Sequence, residues 1–371
     1  MSRYWNSRTK GLDPYVPGEQ PRDRKFIKLN TNENPYPPSP RVTEAVQKVL
    51  EGKNGAGEDL RLYPDPACTE LRKAAARNLG VKPTQVFAGN GSDEVLAFAF
   101  AAFFESRSET HTTGGCLPVL FPDISYSFYP VYARLWDIPF TEIPLTEGFV
   151  IDPDDYRRPS SGVIFPNPNA PAGRVLESKV ILSLASYLEA LGKVLIIDEA
   201  YIAFGGESVL PALNDHPNLL VIQTLSKSAS LAGLRVGFAI GCEDLIQGLC
   251  RIRDSFNSYP VDRLAQAGAA AALNDAGYYA AINSRIAAAR QRVSSELKKI
   301  GFTVIPSYAN FIFARPSRIS GTEFFLRLRD RGILVRRFDR ERIADYLRIS
   351  IGTDAEMDIF LEECRNILKE I

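Results

Sequence analysis

The chain has 371 residues, 44 Lys+Arg against 44 Asp+Glu, and only two His. That length suits a large core in two domains, and the balanced charge argues against a surface built for nucleic acid or a membrane. Five scattered cysteines (Cys68, Cys116, Cys242, Cys250, Cys364), with His111 and His216, form no CxxC pair and no metal-ligand spacing, so no metal is expected. Free thiols in a reducing compartment follow. The segment Met1–Asn6 lacks an apolar signal core and no stretch approaches a membrane span, so a cytoplasmic location is expected.

Residues 1–38, rich in Pro, Gly, Asn and charge, read as an extended arm. Ser39-Pro40 opens a helix, with Ser39 as cap and Pro40 in the first turn. Val42, Ala45, Val46, Val49 and Leu50 form its apolar face. Strand-like runs at 85–88, 118–121, 162–165, 194–197, 219–223 and 236–240 alternate with helical stretches. This alternation predicts an α/β domain over 39–250, with a mostly parallel sheet and a site at its strand C-terminal ends. Residues 262–299 are Ala-rich, charged and free of Pro, and read as helices. Short strands near 302–305, 311–314, 333–335 and 346–351, with helices at about 321–331 and 354–370, predict a smaller α+β domain over 251–371.

Within this frame the strand ends carry chemistry. Val86 to Val95 reads as strand, glycine turn (Gly89-Asn90-Gly91) and helix, with Ser92 or a neighbour as cap. The N–H groups of such a helix start favour a phosphate, and its glycines allow close approach. Phe165 to Gly173 leads from a strand into a Pro/Asn turn that places the Asn169 amide near a strand end. Asp198 closes the run Val194–Ile197, Lys227 follows the run Leu219–Ile222, and Arg235 lies one loop further on. A lysine that can bond to an aldehyde, an acid that can keep a pyridine nitrogen protonated and an arginine fork for a phosphate suit pyridoxal 5'-phosphate.

With these residues in this order, the chain resembles the fold-type I pyridoxal-phosphate-dependent aminotransferases over nearly its whole length, and among them the histidinol-phosphate branch. The resemblance also rests on Gly11-Leu12-Asp13-Pro14-Tyr15-Val16-Pro17-Gly18, Leu29 to Tyr36, Arg61-Leu62-Tyr63-Pro64-Asp65-Pro66 and Tyr346 to Thr353. It implies Lys227 as the cofactor-bonded lysine and proton shuttle, Asp198 on the ring nitrogen, and Asn169 and Tyr201 on the ring's phenolic oxygen. It implies Tyr126 stacked on the ring and Gly91, Ser92, Ser226 and Arg235 on the phosphate, with Asp93 also among the cofactor-binding residues. Tyr63 would reach the cofactor of a neighbouring copy, which makes the active unit a homodimer. Arg348 would bind the α-carboxylate of glutamate or 2-oxoglutarate, while Tyr15, Asn34 and Arg336 (or its neighbour Arg337) would serve histidinol phosphate. One departure stands out: where the family has Asn-Pro-Thr-Gly, this chain has Asn169-Ala170-Pro171-Ala172-Gly173. Either the turn is one residue longer, or Ala170 stands where the Asn usually does. Aromatic aminotransferases and threonine-phosphate decarboxylases share the fold and are the alternatives. A non-catalytic regulator is disfavoured by the intact Lys227, Asp198 and Arg235.

Overall fold

The structure is a computed structural model that describes residues 3–15, 18–21, 24–52, 55–107 and 116–371. Val16 and Pro17 of the first family motif and His111 lie outside them. Its core is a seven-stranded sheet of β2 (Val86–Asn90), β3 (Val119–Pro122), β4 (Phe140–Ile143), β5 (Gly162–Pro166), β6 (Val194–Asp198), β7 (Leu219–Thr224) and β8 (Val236–Ile240). The short β1 (Ile27–Lys28) lies before them in the arm. The order across the sheet is β2-β8-β7-β6-β5-β3-β4. All neighbours run parallel except β8, which is antiparallel to both β2 and β7.

Helices cover both faces, so most of these strands are apolar throughout rather than alternating. β4 is the exception: an edge strand with Thr141 and Glu142 exposed, it lacks the long apolar run that marks the others. The reversed strand has a consequence for the site. Val236 pairs with Asn90 and Gly237 with Thr224, so the beginning of β8 lies beside the ends of β2 and β7. Arg235 thereby reaches the same rim as Asp198 and Lys227.

The smaller body is an antiparallel sheet in the order β12-β13-β10-β9, from β9 (Phe302–Ile305), β10 (Phe311–Pro316), β12 (Arg336–Arg337) and β13 (Leu347–Ser350). Its own core gathers Val293, Leu297, Phe311, Phe324 and Phe360. The arm joins this body, because β1 pairs with β11 (Ile333–Leu334). The arm also contains a four-residue helix, Ser7–Lys10, capped by Asn6.

The expected boundary at residue 250 falls inside the helix Glu243–Phe256. The next helix, Arg263–Leu273, buries Ala265, Ala269 and Ala272 in the same core as Val42 and Leu71, so it packs on the large body. The passage between bodies is the long helix Ala276–Lys299. Its Tyr279 belongs to the large core and its Val293 and Leu297 to the small one. Ser39 caps the helix Pro40–Glu51 by accepting from the Arg41 N–H. No disulfide joins the cysteines among the described residues.

One close approach sets the site end of the sheet. A Cβ at Gly237 would lie 2.3 Å from the Ser92 nitrogen and 2.5 Å from the Gly91 carbonyl carbon. Both contacts are backbone, so neither can step aside. Gly237→Ala should cost about 1–3 kcal/mol of stability, as overpacking does, and should loosen the start of the helix that begins at Gly91. Urea unfolding of wild type and variant measures it, and equal midpoints would show that the two segments can part freely.

Candidate active site

Strand ends gather residues that are far apart in sequence. Asp198, last in β6, is 4% exposed. Tyr129 donates its hydroxyl to Oδ2 at 3.1 Å, and the Ala200 N–H donates to Oδ1 at 3.1 Å. Burial pushes the Asp198 carboxyl up to about 6, while these two hydrogen bonds act against the rise. A carboxylate held this way gains by meeting a cation.

Lys227 sits in the single helical turn Leu225–Ser228 after β7, where Thr224 caps the turn by accepting from the Ser226 N–H. Its Nζ donates to the Thr31 carbonyl at 3.2 Å. Burial lowers its pKa to about 8, and the charge of Arg348 pushes the same way. Near that pH a large share of the amine is neutral, which a nucleophile or proton carrier requires.

At the other end of the cleft Gly91 has φ +79°, and a Cβ there would lie 2.4 Å from Arg235 Nη2. No side chain among the described residues caps the helix Gly91–Phe103. Ser92 is thus not the expected cap; it lies within the first turn, and Glu94 instead accepts from the Asn90 N–H at 2.7 Å. An uncapped helix start of this kind suits an anion. Asp93 is held between Arg235 Nη2 at 2.7 Å and the Tyr126 hydroxyl at 2.5 Å. Ser92, Asp93, Tyr126, Ala170, Asp198, Tyr201, Ser226, Lys227 and Arg235 line one cleft. Pyridoxal phosphate fits this donor set. The glycine cradle, the helix start, Ser226 and Arg235 could take its phosphate, Asp198 its ring nitrogen, and Lys227 its aldehyde.

Asn169 is not part of that lining; Ala170 is. The Asn169 amide donates to the Ile124 carbonyl at 3.0 Å, and its Oδ1 is buried without a partner among the described residues. Tyr201 is buried, with its hydroxyl accepting from Asn32 Nδ2 at 2.9 Å. Asn34 donates to the Lys227 carbonyl at 3.0 Å, so it braces the lysine turn. Tyr15 packs on Phe128, ring centroids 4.3 Å apart.

Two arginines share one face of the small sheet. Arg336 and Arg348 are direct partners in the β12–β13 register, and both guanidinium groups lie over the Phe338 ring, at 5.9 and 5.6 Å. Arg348 donates to the Asn30 carbonyl at 3.0 Å, and its buried Nε has no partner among the described residues. Arg337 points elsewhere, to Thr322 at 2.9 Å and Asp339 at 2.5 Å. Tyr63 stands apart from the cleft, 78% exposed and stacked on Tyr259.

Sequence reasoning missed Tyr129, Asn32 and Phe338. Tyr129 lies in the aromatic cluster around Tyr126, but nothing in the cluster tells which ring turns toward Asp198. Asn32 lies within a family motif, yet its task depends on residues 169 to 318 positions away, Tyr201 and Ser350 among them.

Comparison with known proteins gives the family of the chain. A sequence model of the family "Aminotransferase class I and II" matches residues 24–363. The chain belongs to the class I and II aminotransferases. Among similar proteins are histidinol-phosphate aminotransferases of Clostridium beijerinckii, 50% identical over 99% of this chain and 98% of that one, and of Clostridium acetobutylicum, 51% identical over 99% and 100%. The solved histidinol-phosphate aminotransferase of Sinorhizobium meliloti, in complex with pyridoxal-5'-phosphate, superposes with a TM-score of 0.87 at 24% identity, covering 100% of this chain and 99% of that one. As an aminotransferase of this family the chain is a pyridoxal-phosphate enzyme. No helix among its described residues is long and apolar enough to cross a membrane.

The lowered pKa of Lys227 has a measurable sign. The neutral amine is the attacking species, so in the cofactor-free aminotransferase covalent attachment of added pyridoxal phosphate should speed up with pH. It should level off near pH 8 rather than near the ordinary 10.5. Stopped-flow absorbance follows the rate, and borohydride reduction with peptide mapping should place the label on Lys227. A plateau above pH 10, or a label on another lysine, would contradict the assignment.

Proposed function

We propose that this aminotransferase transfers the amino group of histidinol phosphate to 2-oxoglutarate, giving imidazole acetol phosphate and glutamate in histidine biosynthesis. Full-length relatives about half identical to this chain carry the name of that activity. The structural observation that carries the reading is the pair Arg336 and Arg348 on one sheet face, with Arg348 close enough to Lys227 to lower its pKa. Both substrates are anionic, one through a carboxylate and the other through a phosphate ester, and a planar guanidinium serves either. The Arg348 Nε has no partner among the described residues, so the guanidinium keeps donor capacity for the carboxylate. Arg336, one strand over, extends the cationic face for the phosphate.

When bound, pyridoxal phosphate supplies an electron-poor ring that accepts the electron pair released at the substrate carbon. Asp198 holds the proton on the ring nitrogen, and its burial strengthens that pairing over its value in water. Lys227 Nζ, as the neutral amine, takes the proton from the substrate carbon and delivers it as ammonium. The Thr31 carbonyl and the Asn34 amide keep the lysine turn in place. Tyr201, whose hydroxyl accepts from Asn32, would offer that hydroxyl's proton to the ring oxygen.

Losing a charge-assisted hydrogen bond costs roughly 1.5–3 kcal/mol, on the order of tenfold to a hundredfold in binding. Arg336→Ala should therefore weaken the half-reaction with histidinol phosphate by that factor and leave the glutamate half-reaction nearly intact. Arg348→Ala should damage both. Single-turnover absorbance with each donor separates the cases, and an unaffected histidinol-phosphate half-reaction in Arg336→Ala would remove the structural support for this substrate.

The working unit in this reading is a homodimer in the cytoplasm. Supporting it, Tyr63 and its neighbours Leu60 and Leu62 are exposed, as are Tyr259 and Phe256, a run of apolar side chains that a second copy would cover. Tyr63→Phe should then speed the loss of pyridoxal phosphate on dialysis. A fully active monomer in sedimentation experiments would refute the arrangement.

A further inference from the structure

Asp198 is met from two sides. It lines the reaction cleft, whereas Tyr129, which donates to its Oδ2 at 3.1 Å, lines no part of that cleft. Tyr129 is fully buried at the start of the helix Tyr129–Leu135. Aromatic neighbours box in its ring. Phe121 and Tyr126 meet it edge-on, each with centroids 5.7 Å away, and Phe100 lies at 6.2 Å. A ring packed on several sides holds its hydroxyl in one direction. Burial raises the Asp198 carboxyl, and the negative charges of Asp93 and Glu199 add to the rise. Two donors oppose it, the Ala200 N–H on Oδ1 and the Tyr129 hydroxyl on Oδ2. The first is backbone and comes with the turn. The second is a side chain.

We propose that Tyr129 is the positioning residue for Asp198: its hydroxyl holds Oδ2 from outside the cleft and so keeps the carboxylate charged and turned toward the cofactor's ring nitrogen. A neutral donor suits that task. An arginine in its place would cancel the charge that the ring nitrogen has to meet, whereas a hydroxyl strengthens the carboxylate by a hydrogen bond and leaves its charge in place. Tyr129 cannot take up the charge itself, because burial, together with the nearby Asp198 carboxylate, pushes its hydroxyl well above the ordinary range. Each carboxylate oxygen carries one donor from the protein and keeps acceptor capacity for another. Tyr129 touches no ligand in the cleft and acts only through Asp198.

The proposal rests on the reading of Asp198 as the partner of the ring nitrogen, and the test separates the two. The full chain is loaded either with pyridoxal phosphate or with its deaza analogue, which has C–H in place of the ring nitrogen and keeps the aldehyde and the phosphate. Equilibrium dialysis gives the dissociation constant of each, and their ratio is the preference for a ring nitrogen. A ratio cancels any general loosening of the fold, which weakens both ligands alike. Wild type should prefer pyridoxal phosphate, and Asp198→Asn should lose that preference. Tyr129→Phe keeps the ring and its packing and removes only the hydroxyl. It should cut the preference about tenfold, the worth of one hydrogen bond to a charged group, through weaker retention of pyridoxal phosphate and with the analogue held as in the wild type. In the Asp198→Asn background the same substitution should leave the ratio unchanged. An unaltered preference in Tyr129→Phe, an equal loss of both ligands, or a further fall in the double variant would overturn the role of Tyr129 and leave that of Asp198 standing. A preference that survives Asp198→Asn would overturn the ring-nitrogen reading itself, and the role of Tyr129 with it.

Discussion

The whole rim of the central sheet depends on holding Asp198 and Lys227 out of water at the ends of two neighbouring parallel strands. The same desolvation acts on them with opposite sign, raising the carboxyl to about 6 and lowering the amine to about 8. Each group is thus moved toward neutrality and left with interactions to gain. A ligand with a protonated ring nitrogen at one end and an electrophilic carbon at the other satisfies both at once. The strands themselves can afford this only because the sheet beneath is apolar on both faces and leaves its polar groups to the rim.

Around that pair the chain uses backbone as much as side chains. Thr31 and Asn34 from the arm hold Lys227 through a carbonyl and an amide. Asn32 accepts from the Ser350 hydroxyl, offers its backbone carbonyl to Asn310 and donates to Tyr201. A single arm segment therefore ties the small sheet to the large one directly over the cleft. Arg348 belongs to the same knot through the Asn30 carbonyl, so the residue proposed to receive a substrate carboxylate is oriented by the segment that also braces the lysine.

Much of this was legible in the residues, and the gaps have physical causes. The strands ending at Asn90, Pro122, Pro166, Asp198 and Thr224 announce themselves because burial on both faces demands unbroken apolar runs. β4 does not, since an edge strand with Thr141 and Glu142 needs none. The reversal of β8 leaves no trace in its composition, because an apolar strand reads alike in either direction. The Ala-rich helix Arg263–Leu273 looked like the start of the small domain, whereas Ala265 and Ala269 face Val42 in the large one. In the site, Asp198, Lys227 and Arg235 stood out by position. Ala170 lines the cleft and Asn169 does not, in line with the reading in which Ala170 stands where the family usually has Asn.

The knot at Asn32 also bears on how the chain comes together. The hydrogen bond from the Asn32 N–H to the Ser350 hydroxyl closes 318 residues of sequence. Loop closure over such a span is entropically costly and slow relative to local contacts. During synthesis the first segment of the cleft emerges long before its last partner, and the large sheet between them can form in the interval. The reaction centre is therefore assembled at the end of folding. A chain stopped short of Ser350 would possess the lysine, the aspartate and the phosphate cradle, and still lack the clasp that closes over them.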